Sequence, residues 1–95
     1  MISPEDLNKL ISLLDEAEQL ISQFRGGWSD HFLSAEEFHK ALKSSIERLK
    51  QGELEELNTL FLWFSPSYDW DDFTNGEGLE RGNQIFAILY KNVKV

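Results

Sequence analysis

The sequence predicts an all-α domain, a small four-helix bundle with an acidic, ring-rich loop between its third and fourth helices. Three observations carry this expectation. Apolar residues recur at three- and four-residue spacing along most of the chain, and no alternating pair of runs suggests a strand hairpin. Serine, proline and glycine stand where helix starts and stops belong. The third is size and composition: 95 residues, 41% hydrophobic and 27% charged, suffice for one core and argue against disorder. Residues 1–95 are therefore expected to form a single helical domain.

The first helix has a strong start. Ser3 is placed as N-cap, Pro4 at the first helical position, and Glu5 and Asp6 where acids meet the positive end of the helix dipole. At 100° per residue, Leu7, Leu10, Ile11, Leu14, Ala17, Ile21 and Phe24 form one stripe, which Leu13 and Leu20 widen to about half the circumference. A stripe that wide needs two neighbours. Gly26-Gly27 is the expected stop.

Trp28 and Phe32, spaced i,i+4 in the bridge Trp28-Ser29-Asp30-His31-Phe32, are expected in one turn capping the end of the core. The second helix opens with a capping box, Ser34 to Glu37, and Leu33 and Phe38 are spaced as a hydrophobic staple. Its buried face is Phe38, Ala41, Leu42, Ile46 and Leu49, and Gly52 ends it.

The third helix is expected from about Glu53 to Phe64, burying Leu54, Leu57, Leu60, Phe61 and Phe64. Trp63 falls opposite Leu54 and so outside that face. Pro66 ends the segment. A polar loop, Ser67–Gly78, contains the turn signal Asn75-Gly76. The last helix follows from about Glu77 to Asn92, with Leu79, Gly82, Phe86, Leu89 and Val93 on its inner face and Lys91 and Lys94 at its negative end.

Charge is segregated. The net charge is −8, and between Gln51 and Glu80 there are eight acids (Glu53, Glu55, Glu56, Asp69, Asp71, Asp72, Glu77, Glu80) and no Lys or Arg. The remainder holds nine acids and nine bases, so all of the excess lies in one third of the chain. Six of the twelve aromatic residues fall in the run from Leu60 to Phe73 within that third. Such a surface repels phosphate backbones and anionic lipid, so neither nucleic acid nor a membrane is an expected partner. A basic protein is.

The chain contains no cysteine, which excludes a disulfide framework, a thiolate metal site and a thiol nucleophile. The opening Met1-Ile2-Ser3-Pro4-Glu5-Asp6 lacks the basic lead and apolar run of a secretory signal, and no apolar stretch approaches the ~20 residues of a bilayer span. These features suit a cytoplasmic location.

Catalytic and metal chemistry find little purchase. Asp69-x-Asp71 with Glu80 in the twelfth place invites comparison with a calcium loop, but positions five and six are Phe73 and Thr74 where an oxygen ligand and Gly are needed. Asp71 or Asp72 as a helix or turn cap is the expectation instead. His31 and His39 stand eight apart without a zinc-binding pattern. No nucleophile elbow or Gly-rich phosphate loop occurs. No metal, no cofactor and no catalytic residue are expected.

The rings divide. Phe61 and Phe64 fit the core spacing, and Phe73 is expected as a loop anchor. Trp63, Tyr68 and Trp70 have no periodicity that places them inside. Two readings compete: interface anchors ringed by acids, or a satellite cluster folded together beneath the loop. The one-sided charge favours anchors, with Glu55, Glu56, Asp69, Asp71 and Asp72 steering and pairing with Lys or Arg of the partner.

Trp63, Phe64 and Pro66, followed by Asp69, Asp71 and Asp72, resemble an element of the four-helix immunity proteins of nuclease colicins. Those bacterial proteins pair two tyrosines and a proline on a short helix with an acidic neighbouring helix, and so cover a basic nuclease. Here the rings are Trp and Phe, Ser65 intervenes, and the acids follow the rings. The resemblance is architectural and spans the Glu53–Asn92 half. The run Leu62–Phe73 is also similar to a pattern in uncharacterised small bacterial proteins. The resemblance implies a non-catalytic bacterial binding protein that neutralises a basic toxin or enzyme. The alternatives are a self-associating adaptor, with Trp63 and Trp70 buried against a second copy, and a small hydrolase using the loop carboxylates.

Overall fold

The computed structural model describes residues 2–29, 31–74 and 76–93. Among these the chain is all-helical, with five helices and no strand: α1 (Pro4–Ile21), α2 (Ala35–Lys50), α3 (Glu56–Phe64), α4 (Asp69–Thr74) and α5 (Leu79–Val93). The fifth helix corrects the expected count of four. Half of the anticipated Ser67–Gly78 loop is helical, because the Asp71 carboxylate takes the Ser67 N–H at 2.7 Å and so caps the turn that starts α4. The radius of gyration, 12.2 Å, is the value of about 12–13 Å expected for a compact chain of this length. Asp30, Asn75 and Lys94, to which the sequence assigned bridge, turn and dipole roles, lie outside the described residues.

α1 follows its sequence closely. The Ser3 hydroxyl accepts the Asp6 N–H at 3.1 Å, and Leu10, Leu14, Ala17 and Ile21 are buried. The stripe's width is used as expected, since α1 packs on both α2 and α5. The helix ends at Ile21, before the Gly pair, and Gly26 is instead tied to the start of α2: its carbonyl accepts the Ala35 N–H and its own N–H donates to Glu36.

α2 is capped by Ser34, whose hydroxyl accepts the Glu37 N–H. It buries Ala35, Phe38, Leu42, Ser45, Ile46 and Leu49. The hydrophobic staple does not form: Leu33 is 83% exposed while Phe38 is fully buried. Nor does a Trp28–Phe32 turn form; Trp28 is 75% exposed, and Phe32 alone reaches inward against Phe38 and Trp63.

α3 and α5 are both rotated from the sequence expectation. α3 begins at Glu56 and not near Glu53, so Leu54 precedes it and is exposed; the helix buries Leu57, Leu60, Trp63 and Phe64 and leaves Phe61 half-buried. On a regular helix Trp63 lies about 60° from Leu60 and about 160° from Phe61, so burying Trp63 in place of Phe61 turns the inner face by roughly 40°. The cause is Glu56, about 20° from Trp63 on the same helix. Its carboxylate accepts hydrogen bonds from Ser45 (2.6 Å) and Arg48 (2.9 Å), which draws that side of α3 onto α2. α5 turns by a similar angle, burying Gly82, Ile85 and Leu89 while Leu79 is 52% exposed and Phe86 half-buried.

Candidate functional site

The rings of the acidic third meet in the core. Phe38 is their hub, with Phe32, Trp63 and Phe73 at centroid separations of 5.1, 5.7 and 5.5 Å and Trp70 at 6.4 Å. Phe64 packs on Trp70 at 5.0 Å. Trp63 is 8% exposed and Trp70 0%. Both tryptophans were expected to project toward a partner; they are interior residues, and neither forms a satellite cluster with Tyr68. The physical reason is hydrogen bonding as well as area. The Trp70 indole N–H donates to the Gly78 carbonyl at 2.8 Å, so the ring's single polar atom is satisfied without water. Tyr68 is the one ring of the three that remains exposed.

Trp70 fits because two glycines face it. A Cβ at Gly78 or at Gly82 would stand 2.6 Å from indole atoms, closer than carbon atoms approach. The close approach that Gly82 permits is therefore to this ring. α4 lies between the end of α3 and the start of α5, held by Phe64 on one side and the two glycines on the other.

Asp69 also turns inward, although it was expected to face a partner. Its side chain is fully buried. One carboxylate oxygen accepts the Ser29 hydroxyl at 2.5 Å and the His31 N–H at 3.4 Å; the other is 2.8 Å from His31 Nδ1. Burial of a carboxylate without such donors would be costly, and here three groups of the α1–α2 connection supply them. The arrangement sets the His31 tautomer with hydrogen on Nδ1. It does not form a nucleophile relay, because the Ser29 hydroxyl donates to Asp69 and not to the imidazole. It is a clamp joining the segment before α2 to α4. Ser29 and His31 were not singled out for this role, and a contact forty residues apart has no local signature.

Glu56 is likewise committed within the chain, by Ser45 and by both the Nε and Nη2 groups of Arg48. That guanidinium holds the Glu56 carboxyl below its ordinary value, with Ser45 assisting. Asp71 serves as the α4 cap. Of the residues expected to meet a partner, Glu55, Tyr68 and Asp72 are exposed and Asp71 is half-buried, with Glu77 and Glu80 also exposed.

Arg48 reaches into the acidic third, to Glu56, and four other cations pair outside it. Lys50 pairs with Asp15, Arg81 with Glu16, Lys91 with Asp6 and Arg25 with Glu36, all acids outside the acidic third. Among the described residues no salt bridge reaches Glu55, Glu77 or Glu80. Also among them, no helix is long and apolar enough to cross a membrane, and no group of three or more potential ligands could hold a metal ion. The calcium-loop spacing is undone by the same geometry: Asp69 faces Ser29 and His31, while Asp71 faces the Ser67 backbone. No protein-family model, no curated protein and no solved structure was found to match the chain.

Proposed function

We propose that the protein is a non-catalytic binding module that engages a basic protein through its acidic third, in the manner of an immunity or inhibitor protein. The observation that carries the reading is charge placement: eight acids and no base lie between Gln51 and Glu80, and among the described residues no salt bridge reaches Glu55, Glu77 or Glu80. A face of one sign attracts a partner of the other, speeds encounter and loses that advantage as salt rises. Glu55, Tyr68, Asp71 and Asp72 remain as contact residues. Trp63, Trp70, Asp69 and Glu56 support the fold beneath that face, and substituting them reads stability rather than binding.

The test is capture at low salt with the whole chain as bait, followed by association kinetics with the purified basic protein so identified. The control is the triple variant Glu55→Gln, Glu77→Gln, Glu80→Gln, whose fold should be intact because no salt bridge depends on these groups. A partner that binds wild type with a strongly salt-dependent on-rate, and the variant several-fold more slowly, supports the reading. Equal on-rates for the two chains at all salt concentrations overturn it.

A further inference from the structure

The apolar stripes of α3 and α5 are wider than the core they serve, and the surplus is gathered in one place. Phe61 of α3 packs against Phe86 and Tyr90 of α5, at 5.2 and 6.5 Å, and Phe86 against Tyr90 at 5.8 Å. Phe61 and Phe86 are half-buried; Leu62 and Tyr90 are exposed. The two helices run antiparallel, since Phe64, one turn beyond Phe61, meets Trp70, which faces Gly82, one turn before Phe86. Leu79, exposed and on the Phe86–Tyr90 side of α5, extends the patch toward the start of that helix, and exposed Leu54 lies in the turn that precedes α3. Eleven residues separate Leu79 from Tyr90, about 16 Å of helix, or roughly three turns of a partner helix laid alongside.

We infer that this α3–α5 ridge is the apolar anchor of the interface, and that it takes a basic amphipathic segment of a protein partner. The inference rests on the binding reading above and replaces Trp63 and Trp70 as the source of its apolar contacts. Charge complementarity identifies the occupant. In sequence Glu53 and Glu55 flank Leu54, and Glu77 and Glu80 flank Leu79, while the nearby cations Arg48, Arg81 and Lys91 are taken up by Glu56, Glu16 and Asp6, so the excess charge beside the ridge is acidic. A segment with leucines on one face and lysines beside them satisfies both features. A second copy of this chain would bring acid against acid across the same ends. Trp28 and Leu33 are more exposed still, but Arg25 and Glu36 in that stretch pair with each other, so no excess charge there selects a partner.

The experiment is titration of the isotope-labelled full chain with synthetic helical peptides, followed by amide chemical shifts. Three peptides are used: leucines on one face and lysines on the other; the same with serine for leucine; the same with glutamate for lysine. The proposal expects the first to shift the amides around Leu54, Phe61, Leu62, Leu79, Phe86 and Tyr90. It expects the double variant Leu79→Ser, Tyr90→Ser to bind that peptide about tenfold more weakly, the effect of losing one well-placed anchor. Both residues are half exposed, and an unchanged thermal midpoint confirms that the variant is folded.

Equal binding of the serine peptide, or unaltered affinity of the folded double variant, overturns the apolar anchor and leaves the acidic-face reading standing. Equal binding of the glutamate peptide overturns both. Shifts centred on Trp28 and Leu33, or no binding of any peptide, overturn the assignment of this ridge. A dimer in sedimentation equilibrium that the double variant abolishes gives the ridge to a second copy and overturns it as well.

Discussion

Trp70 shows how one residue can be read correctly as important and incorrectly as exposed. Its ring is large, its neighbours are acids, and those are also the marks of an interface anchor. What places it inside is spread over three sites: Phe64 beneath it, the Gly78 carbonyl at its N–H, and Gly82 against its edge. A side chain at Gly82 tests this packing directly. Ala is worth about 1 kcal/mol more than Gly within a helix, so Gly82→Ala would be stabilising if the site were open. Its Cβ would instead stand 2.6 Å from the indole, which cannot retreat without giving up the Gly78 hydrogen bond. Overpacking of this kind costs about 1–3 kcal/mol, and we expect it to outweigh the helix gain. Denaturant unfolding of Gly82→Ala should show a net loss; a gain in stability would mean that the ring is not held here.

At the scale of elements, Glu56 decides how α3 sits. Its bond from Ser45 matters more than its ion pair, because the Ser45 side chain is fully buried while Arg48 is half exposed. Glu56→Ala should cost about 1–3 kcal/mol, the penalty of an unsatisfied buried hydroxyl, and Glu56→Gln less. The pH dependence has a definite sign. The carboxyl is held below its ordinary 4.5, chiefly by Arg48, so its contribution is present above that value and fades as pH falls through the lowered one. Thermal melts should therefore show wild type and Glu56→Gln converging below about pH 4.5; a constant gap down to lower pH would refute the linkage. The same residue explains what could be read in advance. α1 and α2 were legible because Ser3, Pro4 and Ser34 set their starts and one dominant stripe set their faces. α3 carries apolar residues around most of its circumference, so periodicity alone could not choose its inner side; Ser45 and Arg48 of the preceding helix, eleven and eight residues from Glu56, did. α4 was hidden because its first turn depends on Asp71 capping Ser67 in a segment of only six helical residues. The segregation of charge along the chain was legible at once, but not which of its acids reach the surface. The buried state of Asp69 was not, because its partners are residues of the α1–α2 connection.

For the whole molecule, segregated charge has a cost that can be measured without knowing any partner. Glu55, Glu77 and Glu80 form no salt bridge among the described residues, so folding gains nothing from them by pairing and brings them closer to the other acids of a chain with net charge −8. If they are retained for binding, removing their charge should relieve repulsion. The dipoles of α3 and α5 favour Glu55 and Glu80 at their starts, but with repulsion the larger effect the triple variant Glu55→Gln, Glu77→Gln, Glu80→Gln should melt higher than wild type at low salt, by an amount worth up to about 1 kcal/mol. Screening gives the control. The Debye length falls from about 30 Å at 0.01 M salt to about 3 Å at 1 M, so the difference should close as salt is added. A difference that persists at high salt would assign the gain to something other than charge. A variant less stable than wild type would show that these carboxylates hold the fold together, and the acidic face would then be explained without a partner. Higher stability of the variant at low salt, together with loss of the salt-dependent on-rate, would place the stability cost and the binding function in the same three residues.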